Sequence, residues 1–394
     1  MVAEPIPGSD PRPREAATTL PVYGQLPFVP ERAAGCDIIT TDGRRILDLY
    51  GGHAVAALGY GHPALINAIS EQSSRLLFQS NAVAIEVRAK AAENLTRIAP
   101  GNLRRAFFVN SGAEANENAL RMACVVTQRK KVLAITHAFH GRTAAAGAVT
   151  WNSQKWYGFP QLPFDVDFIP RDDCAAAESM IDRDVAAVIF EPVQGVAGAY
   201  DLAHEFIKTL RECTRRHGVL LIADEVQSGM GRSGHFFAAE AHGIEPDILT
   251  SAKSLGGGMP CGAVLCSEDI APHFGPGDLG TTFGGGPVAA AAINAVIDTI
   301  EAESLLQNVS DREAQIREQC IVGPVQKVQG MGLLLGLVCD RPAVEVRDAL
   351  LDHDILTGTS GDPNVLRILA PLVLHPEHVD RLARALESIP QGHH

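Results

Sequence analysis

The stretch that decides the fold is 219-VLLIADEVQSGMGRSGHFFAAEAHGIEPDILTSAKSLGGGMPCGAVL-265. It contains two mostly apolar runs, 219–223 and 247–250, of the kind that form buried strands of a parallel sheet. The first run ends on Asp224, and Lys253 follows the second run shortly before three glycines. Because ligands of open α/β sheets bind beyond the carboxyl ends of the strands, we expect Asp224 and Lys253 at one binding site.

A lysine and a fixed aspartate together match the needs of pyridoxal phosphate. The aldehyde of this cofactor forms a Schiff base with a lysine amine, and a carboxylate keeps its ring nitrogen protonated. Most lysines and aspartates are solvated surface charges, but here both residues terminate apolar strands. The stretch therefore predicts a pyridoxal-phosphate enzyme in which Lys253 and Asp224 are the catalytic residues.

The same stretch contains a competing motif, the G-x-G-x-x-G sequence at 229–234. In a dinucleotide-binding fold the first glycine lies directly at the end of a strand. Here the five residues 224–228 intervene between the strand and the first glycine. A dinucleotide-dependent oxidoreductase is therefore kept only as a remote alternative.

Composition narrows the class of protein. The chain has 394 residues, of which 46% are hydrophobic and 20% are charged, which is typical of a globular protein. Its formal net charge of −13 argues against a nucleic-acid partner. The eight cysteines include no C-x-x-C and the fourteen histidines no H-E-x-x-H, so we expect no metal site and reduced thiols in the cytoplasm. No apolar run is long enough to span a membrane.

Two further strand ends carry candidate ligand-binding residues. A strand ending near Val109 leads into Ser111 and a helix, and a helix N-terminus binds anions, although Ser111 could equally be a plain helix cap. The strand 132–135 precedes Phe139 and Arg142. A phenylalanine there can stack on a flat cofactor or simply pack in the core, and an arginine can bind a carboxylate with two hydrogen bonds.

The motifs DEVQSGMGRSG and PDILTSAKSLGGGMP resemble the signature of the class III, fold type I, pyridoxal-phosphate aminotransferases, and most of all the branch that acts on acetylornithine. The similarity extends from about residue 37 to 384. It implies a large α/β domain with a mostly parallel seven-stranded sheet flanked by helices, and a smaller α/β domain built from both termini. It also implies a homodimer whose two active sites are shared between the subunits.

The resemblance assigns roles to individual residues. It implies that the cofactor phosphate is held by the motif NSGAEAN and by a threonine of the neighbouring subunit, and that the ring lies between Phe139 and Val226. It implies that Arg142 and Arg367 bind substrate carboxylates. The cofactor-binding residues expected in this way are Ser111, Gly112, Ala113, Phe139, His140, Asp224, Val226, Gln227, Lys253 and Thr282.

Two positions depart from the pattern of the family. Val196 stands where relatives have a glutamate that pairs with the arginine matching Arg367, and Gly286 stands where they usually have asparagine. Without an acid at 196, Arg367 is expected to hold carboxylates more persistently. These departures leave the identity of the amine donor open.

The reaction expected from the resemblance is a ping-pong transfer of the terminal amino group of an N-acylated diamino acid to 2-oxoglutarate, giving a semialdehyde and glutamate. N-acetylornithine, an intermediate of arginine biosynthesis, is the expected donor, supported by His140 where ornithine aminotransferases have a tryptophan. N-succinylornithine, an acylated lysine precursor, ornithine and 4-aminobutyrate remain alternatives, as does an aminomutase with the same cofactor.

The expected organisation of the chain follows the same resemblance. Residues 1–20, rich in proline, are expected to form a disordered arm. Residues 21–60 are expected to contribute to the small domain and to the mouth of the active site. Residues 61–290 would form the large cofactor-binding domain, and residues 291–394 the small C-terminal domain.

Overall fold

The structure, a computed structural model, describes residues 10–392. Its strands, in chain order, are β1 (Pro30–Ala34), β2 (Asp37–Thr40), β3 (Arg45–Asp48), β4 (Leu103–Val109), β5 (Lys131–Ile135), β6 (Asp165–Ile169), β7 (Val185–Phe190), β8 (Val193–Gln194), β9 (Tyr200–Asp201), β10 (Leu220–Asp224), β11 (Ile248–Ser251), β12 (Gly262–Ser267), β13 (Val325–Met331), β14 (Leu334–Cys339), β15 (Ile355–Leu356) and β16 (Val365–Ile368).

The helices are α1 (Arg12–Thr18), α2 (Gly51–Ala54), α3 (Pro63–Arg75), α4 (Glu86–Ile98), α5 (Gly112–Thr127), α6 (Ala144–Ala148), α7 (Cys174–Met180), α8 (His204–His217), α9 (Ala238–Ala241), α10 (Pro287–Ala302), α11 (Leu305–Gln319), α12 (Ala343–Asp352) and α13 (Pro376–Ser388). Single 3₁₀ turns occur at Ser153–Lys155, Lys253–Gly256 and Ala271–His273.

A seven-stranded sheet organises the molecule, in the strand order β4-β12-β11-β10-β7-β5-β6. Strands β11, β10, β7, β5 and β6 pair in parallel, and β12 pairs antiparallel with both β11 and β4. Only β12 therefore runs against the other six. The mostly parallel seven-stranded sheet predicted from the sequence is confirmed.

Both faces of this sheet are covered by helices. Along β5, Val132 and Ala134 pack in one apolar cluster with residues of α5, while Leu133 and Ile135 pack in another with residues of α7 and α8. Alternate side chains of a strand point to opposite faces, so burial on both sides requires an apolar residue at every position. This explains why the central strands read as continuous apolar runs; in β7 every residue is buried.

The N-terminal and C-terminal segments meet outside the large sheet. Strand β15 pairs in parallel with β3, with Ile355 opposite Leu47, so a strand from near the end of the chain completes a sheet begun by residues 30–48. Strands β13, β14 and β16 form a separate antiparallel sheet. A small α/β unit built from both ends of the chain is thus present, while the predicted domain bounds remain predictions.

The predicted disordered arm, residues 1–20, differs in part from the structure. Residues 1–9 lie outside the described part of the chain, as does the C-terminal histidine pair. Arg12–Thr18 forms a helix instead of an irregular segment, with a proline in its first turn and an ion pair between Arg12 and Asp10 at its start. None of its side chains is buried, so tertiary packing contributes little to this helix.

The G-x-G-x-x-G loop at 229–234 is buried against the C-terminal part of the chain. The guanidinium of Arg232 is inaccessible to solvent and donates to the carbonyl of Ala370, and the Arg232 carbonyl accepts from the Leu333 amide at 2.8 Å. A Cβ added to Gly231 would lie 2.8 Å from Leu372. Protein atoms occupy the space that a dinucleotide would need, so the oxidoreductase alternative has no support.

Neither a membrane span nor a metal site is found within residues 10–392. No helix there is long and apolar enough to cross a bilayer. No group of three or more histidine, cysteine, aspartate or glutamate side chains in that range could hold a metal ion.

Truncation of the central strand β10 provides a test of this architecture. Leu221 is inaccessible to solvent, so Leu221→Ala should lower the free energy of unfolding by about 2–5 kcal/mol through lost contacts and a residual cavity. Leu162 is 51% exposed, so Leu162→Ala should change it by no more than about 0.5 kcal/mol. Denaturant titration of both variants measures the difference; equal effects would contradict the assigned position of β10.

Candidate active site

A cavity of about 640 Å³ lies at the carboxyl ends of the parallel strands, a volume suited to a small organic ligand. Strands β4, β5, β7, β10 and β11 each deliver a side chain to it at or just beyond their last residue. Of the residues predicted for the site, those lining the cavity are Ser111, Gly112, Ala113, Phe139, His140, Arg142, Asp224, Val226, Gln227 and Lys253. Arg367 and Thr282 are not among its lining residues.

The Asp224 carboxylate is buried and held by several hydrogen bonds. Its Oδ2 accepts from Asn116 Nδ2 and lies 2.7 Å from His140 Nδ1, and its Oδ1 accepts from the Val226 amide at 3.0 Å. Asn116 is fixed in turn, because its Oδ1 accepts from Thr250 Oγ1 at 2.7 Å. These contacts fix the orientation of the carboxylate, while Oδ1, with one close donor, can accept from a protonated ring nitrogen.

Lys253 lies in the same cavity, on a tight turn after β11 where its backbone is left-handed, with φ of 49°. Burial lowers the pKa of its amine to about 8, although the negative charges of Asp224 and Glu191 favour the charged form. The amine is therefore neutral in a substantial fraction of molecules near pH 8, and a neutral amine is the nucleophile that attacks an aldehyde.

Glu191 is a cavity residue that the sequence analysis did not assign to the site. Its carboxylate accepts from the Phe139 amide at 2.8 Å and the Gly195 amide at 3.3 Å. Burial raises the pKa of Glu191 to about 7, and the neighbouring Asp224 adds to the shift. The available signal was the one that identified Asp224, an acid that follows directly on an apolar strand.

The N-terminus of α5 forms an anion-binding cradle at one end of the cavity. Ser111 is the helix cap, because its hydroxyl accepts from the Glu114 amide at 3.1 Å. The amides of Gly112 and Ala113, in the first turn, have no acceptor within the helix and line the cavity. A Cβ added to Gly112 would lie 2.6 Å from Val226 Cγ1, so only glycine allows this close approach.

The lining residues fit pyridoxal phosphate. The cradle suits a phosphate, Phe139 offers an aromatic face, and Lys253 and Asp224 suit the aldehyde and the ring nitrogen. In addition, Gln227 Oε1 is buried without a hydrogen-bond partner in the described part of the chain. A buried acceptor without a donor is costly, so Gln227 has a free polar atom for a ligand group.

Arg367 lies behind the cavity and is bound to neutral partners. Its Nε donates to the Thr359 carbonyl at 2.7 Å, and its Nη2 donates to the Tyr50 hydroxyl at 2.8 Å. Tyr50 Oη is also 2.9 Å from Nδ1 of His53, which lines the cavity. Within residues 10–392 no carboxylate forms an ion pair with Arg367, although Glu191 is near enough to act on its charge. Its predicted contact with a substrate carboxylate remains a prediction.

Tyr23 and His53 also line the cavity and were missed by the sequence analysis. Both come from the N-terminal segment, which was expected only to border the mouth of the site. His53 lies in the segment named α2, whose four residues, 51–54, have positive φ values between 53° and 65°, so α2 is a left-handed turn and not a regular α-helix. Such a turn has no periodic sequence pattern, so His53 could not be assigned to the site from its neighbours. Tyr23 lies outside every helix and strand, so no periodic pattern could place it either.

Arg142 and Thr282 differ in position. Arg142 is exposed at the edge of the cavity, with its Cζ 6.0 Å from the Phe139 ring centroid and 5.7 Å from that of Trp156. Thr282 is also exposed and does not reach the cavity of its own chain. The structure therefore brings Arg142 to the predicted site, and the predicted role of Thr282 remains a prediction about a second subunit.

Comparisons with known proteins agree with this geometry. Residues 20–389 match the family described as Aminotransferase class-III. The chain is 39% identical over 380 residues to an acetylornithine aminotransferase of Corynebacterium efficiens, covering 94% of each chain. It is 38% identical over 384 residues to that of Neisseria meningitidis, covering 94% of this chain and 96% of the relative.

Solved structures show the same similarity. The acetylornithine aminotransferase of Elizabethkingia anophelis superposes with a TM-score of 0.85 at 29% identity, covering 95% of this chain and 97% of that one. The ornithine aminotransferase of Toxoplasma gondii gives a TM-score of 0.90 at 28% identity, covering 95% and 92%, and its structure shows partial occupancy of PLP at the active site.

The anion cradle can be tested by adding one methyl group. Gly112→Ala should weaken binding of pyridoxal phosphate by at least about tenfold, because the added Cβ displaces Val226 and the first-turn amides with it. Gly275→Ala is the matched control, since its Cβ would lie 3.8 Å from the nearest atom. Fluorescence or absorbance titration of the cofactor-free protein gives both dissociation constants, and equal affinities would exclude the proposed cradle.

The shifted pKa of Lys253 makes a pH-dependent prediction. Since the pKa is lowered to about 8, the neutral amine increases as the pH rises through 8, and the rate at which the cofactor-free protein reacts with pyridoxal phosphate should rise with it. Glu191→Gln should move the midpoint to lower pH, because the Glu191 charge favours the protonated amine.

Glu225→Gln is the control for this measurement. Glu225 is also a buried glutamate whose pKa is raised by burial to about 7, but it accepts from Ser228 and the Ala239 amide and does not line the cavity. Stopped-flow absorbance across the pH range gives the midpoints. A midpoint near 10.5 in the unaltered protein would show that Lys253 is solvated.

Proposed function

This chain belongs to the class-III aminotransferases, and we propose that it transfers the terminal amino group of an N-acylated diamino acid to 2-oxoglutarate. N-acetylornithine is the first candidate donor, and the products are then its semialdehyde and glutamate. The observation that carries the proposal is the meeting of Lys253 and Asp224 in one cavity, with Arg142 at its edge and Arg367 behind it. The named relatives at 38–39% identity support the choice of donor.

Pyridoxal phosphate, when bound, supplies an aldehyde that takes up amino groups and a ring that accepts electrons from a deprotonated substrate carbon. Asp224 holds a proton on the ring nitrogen, and its own contacts to Asn116 and His140 prevent it from turning away. The amides of Gly112 and Ala113 would hold the phosphate. Phe139 and Val226 would hold the ring.

Lys253 is the group that moves the proton. Its amine, neutral near pH 8, would remove the proton from the substrate carbon that bears the transferred amine, hold it as an ammonium group and give it up again within the same half-reaction. The short tether to β11 and the left-handed turn at Lys253 keep the amine inside the cavity. The same residue would serve both half-reactions of the ping-pong mechanism.

The two arginines select substrates by their carboxylates. Arg142 lies at the edge of the cavity and suits the carboxylate remote from the reacting amine, while Arg367 suits the carboxylate of glutamate or 2-oxoglutarate. Valine at 196 leaves Arg367 without an acidic neighbour on that segment, where Gly195 instead contributes a carbonyl at 3.3 Å. A permanently available Arg367 favours the dicarboxylic partner.

An absorption spectrum tests the function directly. The purified protein with its cofactor should be yellow, should lose that absorbance on addition of N-acetylornithine, and should regain it with 2-oxoglutarate. Lys253→Ala should do neither, because it lacks both the anchoring amine and the proton carrier. A yellow protein that N-acetylornithine leaves unchanged, but that another diamino acid bleaches, would overturn the donor. Failure to consume 2-oxoglutarate would indicate an aminomutase.

The proposed assembly is a homodimer in which each subunit completes the other's site, and the proposed location is the cytoplasm. The eight cysteines are all free thiols, which agrees with a reducing compartment. Phe283, next to Thr282, is 64% exposed and its ring lies 5.3 Å from that of Phe78. Leu77, which precedes Phe78 in the chain, is 68% exposed. This part of the surface therefore has apolar side chains that a second subunit would cover.

The dimer can be tested at Phe283. Phe283→Asp should convert the dimer into a monomer and abolish most activity, because a charge placed in an apolar interface is not solvated there. Phe159→Asp, at a phenylalanine that is 52% exposed on another surface, should leave the mass unchanged. Light scattering combined with transamination assays decides the outcome; a fully active monomer would refute the shared site.

A further inference from the structure

A chain of hydrogen bonds connects the guanidinium of Arg367 with the wall of the active-site cavity. Arg367 Nη2 donates to the Tyr50 hydroxyl at 2.8 Å, and that hydroxyl lies 2.9 Å from Nδ1 of His53. The rings of Tyr50 and His53 are also close, with centroids 4.7 Å apart. Of these three residues only His53 lines the cavity. No step of the reaction proposed above uses Tyr50 or His53.

The chemistry of the three side chains fixes the direction of these bonds. A guanidinium can only donate, so the Tyr50 oxygen is the acceptor and its own hydrogen is left for Nδ1 of His53. Burial raises the pKa of Tyr50, so the phenol remains protonated. Burial, together with the positive charges of Arg367 and Lys253, lowers the pKa of His53, so its ring is mostly neutral at pH 7 and Nδ1 can accept. Arg367 is thus oriented by an uncharged partner.

The bonds of Arg367 leave a matching pair of donors unused. Its Nε donates to the Thr359 carbonyl at 2.7 Å, Nη1 to the Gly195 carbonyl at 3.3 Å and Nη2 to Tyr50. A guanidinium has five N–H groups, so within residues 10–392 one remains on each terminal nitrogen, and this fork binds a carboxylate with two parallel hydrogen bonds. All three acceptors are uncharged, and Glu191, whose charge acts on Arg367, accepts from backbone amides instead. The guanidinium is therefore oriented without being paired.

The position of Tyr50 is built into the backbone around Arg367. Gly358 pairs with Arg367 as an isolated bridge, and a Cβ added to Gly358 would overlap the Tyr50 ring. The ring therefore occupies space that exists only because residue 358 is glycine. The Asp48 carboxylate accepts from the Tyr50 amide at 2.7 Å, so the tyrosine is fixed at its backbone as well.

His53 is held in a strained turn that is tied to the loop of Lys253. Residues 51–54 have positive φ values, a conformation that costs free energy for a residue with a side chain, such as His53. The Ala54 carbonyl accepts from Ser254 Oγ at 2.8 Å, and Ser254 follows Lys253 directly. Such strain persists only where the surrounding contacts enforce it, and it is concentrated at functional sites.

We propose that Tyr50 and His53 are positioning residues that select the dicarboxylic substrate of the second half-reaction. Tyr50 holds Arg367 with an uncharged oxygen, so the free fork and the charge of the guanidinium are left for a carboxylate of 2-oxoglutarate or glutamate. His53 acts through Tyr50, because its Nδ1 takes the hydroxyl hydrogen and keeps the phenol oxygen turned towards Arg367. The inference rests on the proposed function and adds to it the residues that set the preference for the acceptor.

The experiment measures the two half-reactions of the cofactor-loaded enzyme separately. Stopped-flow absorbance follows the loss of the yellow colour with N-acetylornithine and its return with 2-oxoglutarate, and each gives a second-order rate constant. In the proposed function Arg142 holds the carboxylate of the donor, so Arg367 matters mainly for the acceptor. Tyr50→Phe should therefore lower the ratio of the acceptor constant to the donor constant by about tenfold, the size of a hydrogen bond to a charged group.

Tyr200→Phe is the matched control. It also removes a hydroxyl from a half-buried tyrosine, one that donates to Asp172 at 2.8 Å, and Tyr200 does not line the cavity. The ratio should stay the same in this variant. Loss of folded enzyme cannot imitate the effect of Tyr50→Phe, because it lowers the amplitudes of both half-reactions and leaves the ratio of their rate constants unchanged.

Two substitutions at His53 separate its acceptor atom from its backbone conformation. Asparagine and glycine both suit a left-handed residue, but only asparagine places an acceptor, Oδ1, near the position of Nδ1. His53→Gly should lower the ratio by about threefold, the size of a hydrogen bond between neutral groups, and His53→Asn should retain most of it. In the Tyr50→Phe background His53→Gly should lower the ratio no further, since the hydroxyl through which His53 acts is absent.

The outcomes separate this inference from the proposed function. A ratio that Tyr50→Phe leaves unchanged, or that Tyr200→Phe lowers equally, would overturn the inference and leave the function standing. Additive effects of Tyr50→Phe and His53→Gly would overturn the coupling of His53 to Arg367. If 2-oxoglutarate does not restore the yellow form of the unaltered enzyme, the proposed function fails, and the inference with it.

Discussion

The site depends on keeping a carboxylate oriented in the interior of the protein. Asp224 is only 3% exposed, and a buried charge is stable only where hydrogen bonds replace its water. Asn116 and His140 supply those bonds, and Thr250 holds Asn116. They come from a helix, a loop and a strand, so the whole α/β layer must be assembled before the carboxylate is fixed.

The parallel strands bring the residues of the site together around this carboxylate. Five strands running in one direction end at one edge of the sheet, and that edge collects Ser111, Phe139, Glu191, Asp224 and Lys253 from positions far apart in the chain. The antiparallel strand β12 begins at this edge, where β11 ends, so no crossover helix is needed between these two strands. Its first residues lie next to the loop that carries Lys253.

Much of this arrangement could be predicted from the sequence because it rests on periodicity and chain order. The apolar runs before Asp224 and Lys253 identified two strand ends, and parallel strands of one sheet must end together. Glu191 escaped assignment because an acid after a strand is not functional on that ground alone. His53 could not be predicted, since the turn at 51–54 has no periodic pattern, and Tyr23 belongs to no helix or strand whose pattern would place it.

The positions of the arginines show how an acidic enzyme can still select anionic substrates. Long-range attraction cannot help, because the overall charge repels carboxylates. Selection must therefore be local, through cations that are not held in ion pairs. Arg367 donates to carbonyls and to the Tyr50 hydroxyl and forms no ion pair within residues 10–392, although Glu191 is near enough to act on its charge. Valine at position 196 is consistent with it, because a glutamate there would compete with the substrate for the same guanidinium.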